Sequence, residues 1–199
     1  MSCEIVEGAT NPLLSVDIVD QLQQTFSGKV YFDKIYPIAF VGTQKVGTSL
    51  HKYPRVYLND GNNNYIDVMP DSKLKGYTFF EIIGTESYNF EDDFLNITVS
   101  QICWFNMNKI DPRGYDYKHE LLNDVLKTLK NSTFSNEITN VTIEENFENI
   151  YSKYTIPEDK IQYFMHPYTG FKLSWNMEVL ADVDCTVDFE KIIEGSNDC

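Results

Sequence analysis

The stretch from Leu95 to Leu129 constrains the fold most, because it combines one long strand pattern with one amphipathic helix pattern. Over residues 95–100 apolar side chains alternate strictly with polar ones, which predicts a strand with one buried face. Residues 102–105 are apolar on both faces, as expected where a second layer covers the sheet. Leucines and a valine at helical spacing predict a helix over residues 117–130, with Asp116 as its N-cap. This pair predicts the nucleus of a compact α+β domain.

The remaining patterns add a second long helix and several strands. Asn11 followed by Pro12 is typical of a helix start and Gly28 of a helix end, so a helix is predicted from Pro12 to Phe26. A short helix is predicted over residues 144–154. Strand patterns occupy residues 30–36, 55–59, 65–69, 77–83, 138–143, 161–165 and 171–180. A chain of 199 residues with these elements is expected to form a single, mostly β domain.

Two connections have distinctive compositions. Gly42 and Gly47 have the spacing of a phosphate-binding loop, but the lysine that should follow the second glycine is missing. Because that lysine carries the phosphate charge, the nucleotide hypothesis is rejected, and a mobile loop or a β-arm is expected between Ile38 and Leu50. Residues 86–93 are acidic and predict a loop that leads into the central strand.

The charge balance disfavours one class of function. Thirty acidic residues against sixteen basic ones leave a formal net charge of −14. Such a surface repels phosphate backbones, so ordinary DNA or RNA binding through a basic patch is not expected. The four cysteines match no C-x-x-C pattern, the first residues lack a signal-peptide pattern, and no apolar run reaches the length of a membrane span. These features favour the reducing cytoplasm.

No group of residues has the spacing of a catalytic or metal site. Asp71 and Glu81 form part of a metal-dependent nuclease pattern, but Ile83 stands where the lysine of that pattern belongs. A turn aspartate and a solvent-facing strand glutamate are therefore expected. The three histidines lie in separate elements, and no serine has a Gly-x-Ser-x-Gly context. We expect no catalytic residue, no metal and no cofactor.

The order of these elements resembles the tail-terminator and neck-ring proteins of tailed bacteriophages. The resemblance is carried by the first helix that begins at Pro12, by residues 95–106 followed by 117–129, and by Tyr168 to Phe171 leading into an aromatic strand. It covers about two-thirds of the chain. It implies a tail-terminator-like α+β fold, in which a mixed, mostly antiparallel sheet has helices packed on one side. Residues 141–156 depart from the family pattern as a helical insertion, and a disordered tail is expected from about Gly195.

The function that this resemblance implies is structural. It implies a virion protein that is made in the host cytoplasm and forms a hexameric or dodecameric ring in the neck or at the head-proximal end of the tail. The ring would join head to tail, contact portal, connector and tail proteins, and let DNA pass without specific binding. Two alternatives stay open: a free-standing, monomeric binding module without catalytic activity, and an enzyme whose site follows no known motif.

Two sets of residues are candidates for the contacts of such a ring. The first set is acidic and is expected to face the DNA channel or a basic partner: Glu86, Glu91, Asp92, Asp93, Asp182 and Asp184, with Asp188 on the same strand face as the last two. Asp182, Asp184 and Asp188 could also bind a cation, but their spacing matches no known cation-binding loop. An acidic surface that is only solvated stays an alternative. The second set is expected to reach a neighbouring subunit: Thr43, Gln44 and Lys45 in one connection, and Gly61 and Asn62 in the other.

Reversing the charge of Glu91, Asp92 and Asp93 to lysine should leave folding intact but slow DNA passage or block assembly. A net charge of −14 exceeds the roughly 2 to 8 that a small domain needs for solubility, so a functional role is expected for part of it. The measurement compares particle yield and DNA ejection with the unmodified protein at two salt concentrations. Equal behaviour at both would mean that these carboxylates only keep the protein soluble.

Overall fold

The structure is a computed structural model that describes residues 3–6, 14–58, 64–89, 94–113 and 115–180. Its helices are α1 (Leu14–Phe26), α2 (Met107–Ile110), α3 (Lys118–Lys130), α4 (Phe147–Ile150) and a 3-10 helix (Glu158–Phe164). Its strands are β1 (Glu4–Ile5), β2 (Lys34–Ile38), β3 (Phe40–Val46), β4 (Ser49–Tyr57), β5 (Tyr65–Asp67), β6 (Gly76–Asn89), β7 (Phe94–Asn106), β8 (Ile138–Glu144) and β9 (Tyr168–Leu180). Of the helices described, none is long and apolar enough to cross a membrane.

The main sheet has six strands in the order β1-β2-β6-β7-β9-β8. β1, β2 and β6 are parallel, whereas β6, β7, β9 and β8 form antiparallel pairs. β7 pairs with β9 along its whole length, from Phe94 opposite Leu180 to Asn106 opposite Tyr168. A smaller antiparallel sheet has the order β3-β4-β5. The expected α+β class with a mixed, mostly antiparallel sheet is confirmed.

One face of the main sheet packs against the two long helices. The helix α3 contributes Leu122, Val125 and Leu129 to this core, as its apolar spacing predicted. Alternate residues of β7 and β9 meet the helices, among them Val99, Cys103, Phe105, Phe171, Leu173 and Trp175. Burial raises the pKa of the Cys103 thiol from its ordinary value of 9.0 to about 12, so this free cysteine packs as a small, neutral, buried side chain.

The opposite face of the sheet is covered at one end by the small sheet and by residues 147–168. Trp104 of β7 lies there between the rings of Tyr77 and Tyr168, with both centroid distances at 5.3 Å. Its indole N–H donates a hydrogen bond of 2.8 Å to the carbonyl oxygen of Tyr163. Val56 of the small sheet and Ile102 are part of the same core. The second layer expected from the two apolar faces of residues 102–105 is therefore present.

The strands predicted over residues 30–36 and 77–83 have other bounds in the structure, because each continues through a residue type that commonly ends a strand. β2 spans Lys34–Ile38 and includes Pro37, at the cost of a register shift between Ile35 and Ile38. β6 continues beyond Gly84, whose φ of +78° accompanies a bulge between Ile83 and Ser87. Residues 86–89 consequently belong to β6 and not to an acidic loop, and Glu86 lies in a strand.

The segment between β8 and β9 also differs from the prediction. The helix expected over residues 144–154 is a single turn, Phe147–Ile150, capped by the Asn146 side chain that accepts a hydrogen bond from the Glu148 N–H. Residues 141–144 belong to β8. The strand expected at residues 161–165 is wrong, because Glu158–Phe164 form the 3-10 helix after Pro157. Asp116 precedes the N-cap residue Tyr117, and its carboxylate accepts a hydrogen bond from the Lys118 N–H.

Replacing Val125 with aspartate should destabilise the fold by several kcal/mol, because Val125 is fully buried and the new carboxylate would have no partner in the core. Asn123→Asp on the exposed face of the same helix is the matched control, since it adds the same charge in water. Urea unfolding followed by circular dichroism measures both variants. Equal midpoints for Val125→Asp and the parent would contradict the packing of α3.

Candidate functional site

The most exposed structured segment is the hairpin of β3 and β4, residues 40–55, which we call the arm. Its strands pair from Phe40 opposite Arg55 to Val46 opposite Ser49. Gly47, with a φ of +61°, occupies the first of the two turn residues, as a type II′ hairpin requires. β5 joins β4 only over Arg55–Tyr57, so the distal part of the arm has two strands. Of the two structures expected between Ile38 and Leu50, a mobile loop or a β-arm, the chain forms the β-arm, and these glycines do not form a strand-to-helix phosphate loop.

The arm is fixed to the body at its base. On the edge of β4 that faces away from β3, the Lys52 N–H donates to the Thr155 hydroxyl at 3.1 Å, and the Thr155 N–H donates to the Lys52 carbonyl at 2.7 Å. On the other side, the Ala39 N–H donates to the Phe80 carbonyl of β6 at 2.7 Å. The direction in which the arm leaves the body is thus set by hydrogen bonds to residue 155 and to β6.

Residue 155 is held in turn by a buried ionic cluster centred on Glu81. The Glu81 side chain is only 3% exposed. Its Oε1 accepts a hydrogen bond from the Tyr154 hydroxyl, and its Oε2 accepts from the Nζ of Lys153 at 3.2 Å and of Lys172 at 3.1 Å. Burial, followed by the adjacent Glu81 carboxylate, raises the pKa of the Tyr154 phenol well above its ordinary value of 10.0, so the phenol remains a hydrogen-bond donor.

The expectation of a solvent-facing Glu81 is therefore wrong. Glu81 shares its sheet face with Tyr77 and Phe79, which are buried under the small sheet, and this parity could have indicated a buried position. Its cationic partners follow it by 72 and 91 residues, which no local pattern shows. Both carboxylate oxygens of Glu81 accept hydrogen bonds from these donors, and two of the donors belong to residues 153 and 154. The cluster therefore holds the segment at residues 153–155 against β6.

The arm exposes apolar side chains on both of its faces. Phe40 is 57% exposed and Leu50 64% exposed, and Val41 and Val46 are also exposed. The predicted contact residues Thr43, Gln44 and Lys45 all lie in β3 and are exposed. The face that is buried near the base, at Pro54 and Val56, continues outward as the exposed side chains Lys52, Leu50, Lys45, Thr43 and Val41. Beyond the body of the chain, the arm therefore extends this face as a mixture of apolar and basic side chains.

The arm also has the opposite charge to the rest of the chain. Between Asp33 and Asp60 there is no acidic residue and there are four basic ones, whereas all thirty acidic residues lie elsewhere. Arg55 is neutralised by Asp67 at 2.5 Å and donates to Gln44 at 3.3 Å, across the three strands. Gly42 gives it room, since a Cβ there would lie 2.0 Å from the Arg55 Cδ. Of the carboxylates that the structure describes, none lies within ion-pair distance of Lys45 or Lys52.

An apolar groove with an acidic rim lies beside the base of the arm. Its cavity of about 480 Å³ is lined by Glu145, Asn146, Phe147 and Glu148 on one side and by Ile156, Ile161, Phe164 and Met165 on the other. Sequence reasoning missed it, because it forms where the single helical turn α4 meets the 3-10 helix that was expected to be a strand. The exposed Ile161 and Met165, close to Glu158 and Asp159 in the sequence, were the available signal.

The remaining predicted contact residues form no cluster in the part of the chain that the structure describes. Eight of them lie outside the described residues, so their roles stay predictions: Glu91, Asp92, Asp93, Asp182, Asp184, Asp188, Gly61 and Asn62. Glu86 lies within β6. In the part of the chain that the structure describes, no three His, Cys, Asp or Glu side chains are grouped so that they could hold a metal ion. Comparisons with protein-family models, with curated proteins and with solved structures found no match.

Replacing Glu81 with glutamine should destabilise the protein by roughly 3 to 5 kcal/mol, because Lys153 and Lys172 would lose the buried carboxylate that neutralises them. Glu178→Gln on β9 is the control, since Glu178 is exposed. The midpoint and slope of urea unfolding give the change in free energy. Adding Lys172→Met to Glu81→Gln should recover part of the loss, and no recovery would show that charge is not the cause.

Proposed function

We propose that this chain is a structural subunit that joins copies of itself through the arm into a ring, as in the tail-terminator and neck-ring proteins that it resembles. The single observation that carries the proposal is the arm, a structured ribbon with apolar side chains exposed on both faces. A two-stranded hairpin is marginally stable in water by itself. A neighbouring surface that covered the arm would supply the layer that it lacks.

The energetics favour coverage of the arm by protein. Burying a Val, Leu or Phe side chain completely stabilises a protein by about 1.5 to 3 kcal/mol. Four such side chains are exposed on the arm. The seven residues of β3 span about 23 Å at the usual rise per strand residue, which is far enough to reach a neighbour. Since the four side chains are 46% to 64% exposed, covering them would gain about half of that value each, which favours association through the arm.

The geometry of a donated arm favours a ring. An arm on one subunit and its receiving surface on the next form a heterologous interface, and such interfaces generate closed rings when the rotation closes. The acidic charge of the chain suits a channel for DNA, because carboxylates repel phosphates and the duplex would not bind to the channel wall. We place the ring in the neck or at the head-proximal end of the tail of a tailed phage, where portal, connector and tail proteins would be its neighbours.

Deleting residues 43–49 should leave a folded monomer, because the deletion removes only exposed distal arm residues and keeps Gly42 paired with Tyr53. Sedimentation velocity should show a multiple of the 23.1 kDa chain mass for the intact protein and a monomer for the variant. Thermal unfolding controls for folding and should be nearly unchanged.

Two results would count against the proposal. An intact chain that stays monomeric at concentrations of about 100 μM would favour a free-standing binding module instead. Rings of unchanged mass in the deletion variant would show that copies join through another surface.

A further inference from the structure

We propose that the arm of one copy binds in the acidic groove of a neighbouring copy, with Leu50 on the groove floor and Lys45 and Lys52 against the glutamates of the rim. This inference rests on the proposed function, and it names the receiving surface that the proposed function leaves open. The partner is therefore a second copy of this chain.

The arm presents one compact set of side chains to such a groove. Lys45 lies directly opposite Leu50 in the β3–β4 pair, and Lys52 lies two residues from Leu50 on the same strand face. An apolar anchor is thus flanked by two ammonium groups. Lysines with long stems can cover the apolar edge of a groove while their charged ends reach its rim.

The groove presents the complementary set. Phe147 and Phe164 meet edge to face with centroids 5.0 Å apart and form part of the apolar floor, and Met165 is 62% exposed. Glu148 has no cation within ion-pair distance among the described residues. Glu145 pairs with Lys118 at 2.5 Å, and because 38% of the Glu145 side chain is exposed, its carboxylate stays open to further contacts.

The contact is between copies and not within one chain. Leu50 and Met165 are both more than 60% exposed in the single chain, so the arm does not fill its own groove. Residues 181–199 would be a poor occupant, because they contain six acidic residues and one lysine and would meet glutamates at the rim. The acid-free arm has the charge that the rim attracts, and charge complementarity of this kind selects partners and orients them.

Charge reversal of each side tests the contact. Lys45→Glu alone and Glu148→Lys alone should each weaken assembly about tenfold or more, because each places like charges together. An equimolar mixture of the two variants should assemble almost as well as the parent, because each arm then meets a groove of opposite charge. Lys130→Glu and Glu178→Lys, which reverse exposed charges on α3 and β9, should leave assembly unchanged.

The readout is the apparent dissociation constant of assembly from sedimentation equilibrium, with circular dichroism to confirm that each variant folds. Single variants that assemble like the parent, or a mixture that stays dissociated, would overturn the groove contact while leaving assembly through the arm intact. A parent chain that never assembles would overturn both this contact and the proposed function. Recovery in the mixture cannot arise from misfolded subunits.

Discussion

In the middle of the main sheet, Cys103 and Phe105 of β7 face the two long helices, while Ile102 and Trp104 face the small sheet and the segment that follows β8. Each outer layer is amphipathic and buries its apolar side against this strand and the neighbouring strands β2, β6 and β9. The body therefore depends on burial of β7 from both sides. The base of the arm and the wall of the groove both lie on the side that Ile102 and Trp104 face.

Much of the body could be predicted because its information is local. The alternation along residues 95–99 and along β9, and the apolar stripe of α3, each repeat over several residues and fix which face is buried. The short elements between β8 and β9 could not be predicted in the same way. Their conformation is decided by contacts such as the Trp104 indole to the Tyr163 carbonyl, which join residues 59 positions apart.

The parts of the candidate site also differ in how far the sequence could predict them. A mobile loop or a β-arm was expected between Ile38 and Leu50 once the phosphate-loop hypothesis was rejected, and Gly47 has the positive φ that the tight turn of the arm needs. The groove and the Glu81 cluster required the folded chain, because residues 81, 153 and 172 meet only when β6 and β9 come to lie on either side of β7. The lack of carboxylates between residues 34 and 59 is visible in the sequence alone, although no motif marks it.

The paired hydrogen bonds between Lys52 and Thr155 have a geometric consequence for an assembly of identical copies. They fix the angle at which the arm leaves the body, and the angle is supported from beneath by Tyr154 and Lys153 on Glu81. In a closed circle of subunits, the rotation from one copy to the next determines how many copies complete the turn. The number of subunits would then depend on the geometry at the arm base, and a small change there would alter the diameter of the central hole.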